Sequence, residues 1–143
     1  MRAVVRGMRG AAMLGVAVAC GAVLMAEKAP ESYSAAMKTF GATAQNLRKD
    51  AAASPKDYEA LAKEAAAMKA AYATAVTFWT EKKVEDALQI ARNGAKAAAD
   101  LEAAVKAKDD AAIATAATAA TGTCAGCHMA HRVKNDDGTY EIK

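Results

Sequence analysis

Residues 109–132 read DDAAIATAATAATGTCAGCHMAHR. Ala dominates the run, and Ala is the best helix former. Asp109 stands where an N-cap belongs. Ile113, Ala117, Ala120, Cys124, Cys127 and His131 follow one another at steps of three and four, so they share one helix face. In a bundle that face is buried. Its two cysteines belong to Cys124-Ala125-Gly126-Cys127-His128, and Cys-x-x-Cys-His is the attachment signature of c-type haem. The spacing has a chemical reason. Two thiols add across the two vinyl groups on one porphyrin edge, and the next imidazole reaches the iron from that side. His128 is therefore the expected proximal iron ligand, with haem c held covalently by Cys124 and Cys127. Two plainer readings fit less well. A thioredoxin-like Cys-x-x-Cys pair needs a βαβ context, which this chain lacks. A structural zinc site needs four ligands. Cys124, Cys127, His128 and His131 are too close together on one helix to surround a metal tetrahedrally.

Three more helices precede this one. Residues 84–106 place Val84, Leu88, Ala91, Ala95, Ala98 and Val105 on one face, with Gly94 inside at about 1 kcal/mol against Ala. That glycine marks a close neighbour. Residues 54–79 open on Ser54-Pro55, an N-cap followed by Pro at the first helical position. Asp57 suits the positive helix end. Tyr58, Leu61, Ala65, Met68, Tyr72, Ala75 and Trp79 then form a bundle seam. Residues 31–50 carry Tyr33, Met37, Phe40, Ala44 and Leu47 on one stripe. Phe40, Phe78 and Trp79 read as packing groups. The expected fold is all-α, an antiparallel four-helix bundle over residues 27–143. A core built from Ala buries little area per side chain, and a large cofactor supplies the missing bulk. Gly122 and Gly126 are expected to let the porphyrin approach the backbone. The polar tail, residues 133–143, has an Asp137-Gly138 turn and either folds back over the haem edge or frays.

Residues 1–26 read as a secretory signal: Arg2, Arg6 and Arg9, then an uncharged apolar run from Ala11 to Met25. That run is short for a membrane span of about 20 residues. Cleavage is expected after Ala22 or Ala26. A lipoprotein signal acylated at Cys20 is the alternative. The chain holds three cysteines; with Cys20 in the signal, haem takes the other two and no disulfide remains. The formal net charge of +3 comes from the three signal arginines, and 16 basic side chains then face 16 acidic ones. No basic stripe interleaved with aromatics suggests a nucleic-acid partner. Export and the haem motif agree, because haem is attached to such motifs outside the bacterial cytoplasm. The expected location is the periplasm.

Taken together, an exported four-helix chain with its haem motif on the last helix resembles the class II cytochromes c, the cytochrome c′-like proteins. Cytochrome c′ is a known four-helix bundle. In that family the motif continues with two variable residues, an aromatic and a basic residue. Here it continues Met129-Ala130-His131-Arg132. Arg132 matches the basic position and is the candidate contact for a haem propionate; His131 stands at the aromatic position. The family's first helix commonly places an Arg four residues before the side chain facing the iron. Here Tyr33 precedes Met37 by four.

The resemblance makes Met37 the candidate distal iron ligand. Met129 and His131 lie on the proximal side, and Met68 occupies a regular core position. Two readings of Met37 stand: a thioether bonded to iron, or a core methionine packed against the porphyrin. With ligation, the protein is a periplasmic monohaem electron carrier for redox partner proteins. A thioether raises the potential. With the sixth position open, it is a five-coordinate, cytochrome c′-like module for a small gas such as NO or CO. A peroxide enzyme is not expected, since the first helix offers no distal His or Arg acid–base pair. The resemblance also implies a homodimer through the first two helices.

Overall fold

Asp57 and Asp109 start two of the helices. The Asp57 carboxylate accepts from the backbone N–H groups of Glu59 and Ala60, both at 3.0 Å. The Asp109 carboxylate accepts from that of Ala112 at 3.0 Å. Each satisfies donors that a helix start leaves open. The computed structural model describes residues 26–143. The signal reading, apart from Ala26, and the Cys20 alternative lie outside the described residues. The elements in order are α1 (Glu31–Ala52), α2 (Tyr58–Lys82), α3 (Glu85–Ala107), α4 (Asp110–His131), β1 (Arg132–Lys134) and β2 (Tyr140–Ile142). Connections of five, two and two residues join the helices. Loops this short make consecutive helices antiparallel neighbours. Each helix packs on the next, and α4 closes more sparsely on α1. This is an all-α four-helix bundle. Among the described residues no helix is long and apolar enough to cross a membrane.

The start of α2 differs from the sequence expectation. Ser54-Pro55 matches a cap pattern, yet the helix begins at Tyr58. Asp57 is the better placed acceptor, and the residues before it serve α1 instead. Lys56 Nζ donates to the carbonyls of Ala51 at 2.9 Å and Ala53 at 3.2 Å. That covers the negative end of α1.

The predicted stripes do form the core. Trp79, Leu47, Leu61, Met68, Leu101 and Ile113 are its largest fully buried side chains. Fourteen of the 27 buried apolar residues are Ala, so these few large groups contribute most of the area. Gly94 has the close neighbour expected of it. A Cβ there would stand 2.1 Å from Tyr72 Cε1 and 2.2 Å from Cζ. Ordinarily Gly→Ala inside a helix gains about 1 kcal/mol. Here the ring of Tyr72 must move, so Gly94→Ala is expected to cost a net ~1–3 kcal/mol. Urea unfolding of Gly94→Ala checks this. A midpoint at or above the original contradicts it.

Glu64 on α2 is buried, and its Oε2 has no hydrogen-bond partner. Burial first, then the neighbouring Asp50 carboxylate, push its carboxyl up to about 7. The raised value fixes the sign of its effect. Below the ordinary value near 4.5 the group is protonated whether folded or not, and its contribution is fully present. That contribution is lost as pH rises through about 7. Glu64→Gln is therefore expected to leave stability unchanged near pH 4 and to raise it by roughly 1 kcal/mol at pH 8. Thermal melts at the two pH values read the difference.

The tail is a hairpin. Arg132 pairs with Ile142 and Lys134 with Tyr140. The turn sits at the predicted Asp137-Gly138, with Gly138 at φ +84°. Asp137 Oδ1 accepts from Thr139 N at 2.8 Å and Oγ1 at 2.6 Å. Those hydrogen bonds hold the Asp137 carboxyl below its usual range. Glu27 pairs with Ile142 through bonds of 2.9 and 2.8 Å, which ties the start of the described chain to its end.

Candidate functional site

The last turns of α4 carry Cys124, Cys127 and His128, all half-buried. They face α1 across the loosest seam of the bundle. Two cavities of about 280 and 480 Å³ lie there. Tyr33, Met37, Trp79, Cys127 and His128 border both. Cys124 borders the first. The fold thus brings the sequence motif and Met37 to one cleft. The walls are mostly aromatic and aliphatic. Tyr33 and Trp79 rings lie 5.9 Å apart between centroids, and Phe40 and Tyr72 4.4 Å. Met68 is fully buried and borders neither cavity.

Tyr72 holds the turn that leads into the motif. Its hydroxyl donates to the Ala120 carbonyl and shares a 2.6 Å hydrogen bond with Thr123 Oγ1. Burial pushes this phenol up to about 12, so it stays protonated and remains a donor. Burial likewise raises the Tyr33 hydroxyl.

Electrostatics in the cleft favour neutral groups. Burial raises the Cys124 thiol, against the pull of the Arg48 charge. Burial raises the Cys127 thiol too, with Cys124 and Asp86 adding to it. Burial lowers His128, and the Arg132 charge lowers it further. A neutral imidazole is the form that binds a metal. His131 lies on the same helix face, as its spacing requires. Its ring is 5.2 Å from that of Trp79, and its Nε2 is 3.1 Å from Asp86 Oδ2 without hydrogen-bond geometry. Arg132 borders the second cavity and stacks its guanidinium 4.0 Å over the Tyr140 ring.

Gly122 and Gly126 meet no other part of the described chain. Both are exposed, and a Cβ at either would meet nothing within 4 Å. At about 100° per residue Gly122 falls on the side of α4 away from the cysteines, and Gly126 lies on the flank beside Cys127.

The residues suit a porphyrin in three respects. Two thiols and an imidazole open together onto one cleft. The cleft walls are apolar and flat-ringed. Trp79 borders both cavities and is 2% exposed, and its buried Nε1 has no hydrogen-bond partner. An orphaned buried donor of that kind costs about 1–3 kcal/mol until an acceptor arrives. Among the described residues no three His, Cys, Asp or Glu side chains converge on a common metal position. An iron held in a porphyrin ring asks the protein for one or two ligands only. Arg48 and Gln45, from far along α1, also border the first cavity. Sequence reasoning missed both. Gln45 directly follows Ala44 and Arg48 stands one turn beyond it, places that carry no meaning until α1 is set beside α4. No family model, curated protein or solved structure matches this chain.

Proposed function

We propose that this chain is an exported c-type monohaem cytochrome that carries electrons in the periplasm. One observation carries the reading: Cys124, Cys127 and His128 open onto an apolar cleft that Met37 faces from α1. Cys124 and Cys127 hold the haem through thioethers, and His128 ligates from the α4 side. Met37 offers a thioether from the α1 side. When bound, haem supplies an iron that takes up and releases one electron at a time. The chain's own part is to keep water out and the ligands fixed. Tyr33, Phe40, Tyr72 and Trp79 wall the cleft. The Tyr72 hydroxyl fixes the turn before Cys124. The hairpin residues Tyr140 and Ile142 flank the second cavity.

Export-competent expression followed by intact-protein mass tests the reading. The mass is expected to exceed that of the processed chain by one haem, and the haem is expected to survive denaturation and acid extraction. Two alkylatable thiols in the purified chain contradict it.

A further inference from the structure

The first cavity is walled mainly by apolar groups, with Gln45, Arg48, Thr123 and His128 among its polar ones. Among the residues that border it, Arg48 alone carries a full charge at neutral pH. The second cavity differs. Lys38 and Arg132 border it together with Glu141, and Arg132 is already engaged with the Tyr140 ring. Arg48 has no ion-pair partner among the described residues. The cavity is therefore shaped for a largely apolar ligand that ends in a negative charge. A carboxylate fits this description best. The guanidinium offers two parallel N–H donors in the geometry a carboxylate accepts. Gln45, three residues earlier on α1 and so on the same helix face, adds an amide donor beside it.

The geometry points to Arg48, and not Arg132, as the anchor for a carboxylate of the group bound in this cleft. This rests on the haem reading above, in which that carboxylate is a porphyrin propionate. Arg48 reaches the cleft from α1, whereas both thioethers come from α4. The two elements then hold the same group from the two sides of the cleft, and α1 is drawn onto α4 across the seam that closes most sparsely in the chain alone. With haem in the cleft, the Arg48 charge beside it would favour the reduced form.

The test uses the purified holoprotein and the variants Arg48→Ala, Arg48→Lys and Arg132→Ala. Two quantities are read: the propionate-bending band in resonance Raman and the midpoint potential. Arg48→Ala is expected to shift the band and lower the potential. Arg48→Lys is expected to restore the potential, since the charge returns, but not the band, since the fork does not. Arg132→Ala is expected to leave the band in place; because the Arg132 charge acts on His128, the band and not the potential separates the two arginines. A haem-bearing Arg48→Ala protein with both quantities unchanged overturns the assignment to Arg48 alone. So does a band that moves with Arg132→Ala instead. A purified chain whose mass lacks haem overturns the underlying reading, and the role of Arg48 with it.

Discussion

Cys124→Ser combined with Cys127→Ser is expected to abolish covalent haem and, with it, cooperative folding. The reason lies in the composition of the core. Fourteen of its 27 buried apolar residues are Ala. Each Ala contributes little buried area, and a typical domain survives on a margin of only about 5–15 kcal/mol. The region around the motif is the thinnest part. Cys124, Cys127, His128 and Met37 are all half-buried, and two cavities lie between them. Trp79 Nε1 stays orphaned there. Without a group in the cleft, α1 and α4 have little to hold them together at this end. The helices themselves persist, because Ala-rich segments with Asp57 and Asp109 caps form helix readily. The expected product keeps most of its far-UV circular dichroism, loses near-UV signal, and binds hydrophobic dye. His128→Ala is expected to move the chain the same way to a lesser degree. A double variant that unfolds cooperatively at the holoprotein's temperature shows that the cofactor does not complete the core.

Much of this architecture is legible in the sequence because it is local. Steps of three and four placed Tyr33, Phe40, Leu47, Leu61, Met68, Trp79 and Ile113 inside, and all seven are buried. Asp109 was readable as a cap, and Gly94 as the mark of a close neighbour, because each obeys a rule of one position. Misreadings arose where two local rules competed. Ser54-Pro55 and Asp57 both resemble helix starts, and the side chain with the better reach to two backbone N–H groups won. The hairpin escaped notice apart from its turn, since strands of three residues are too short to show alternation. Arg48 could not have been found. Its place beside Cys124 depends on the register of α1 against α4, elements far apart in the chain, and no local pattern encodes that register.

Met37→Ala is expected to change the haem more than any other single substitution on α1. Met37 and His128 border the same two cavities from facing helices. Met37 is half-buried, packs against the hydrophobic core and borders both cavities. Sulfur in that position favours ferrous iron and raises the potential. The original protein is then expected to show a low-spin spectrum with a weak sulfur-to-iron band near the red edge. In Met37→Ala the band disappears, the iron becomes high spin, the potential drops, and CO binds the reduced form quickly. Met68→Ala is the control of equal chemistry. Met68 is fully buried and borders neither cavity, so its loss costs about 2–5 kcal/mol of packing and leaves the spectrum alone. Tyr33 stands four residues before Met37, where the resembled family commonly has Arg, and its hydroxyl is held protonated by burial. The chain therefore brings no cation to the iron from that position, and the thioether is left as the group on α1 that can set the sixth position. An original protein that is already high spin and binds CO makes Met37 a packing residue, and the protein a five-coordinate module for small gases.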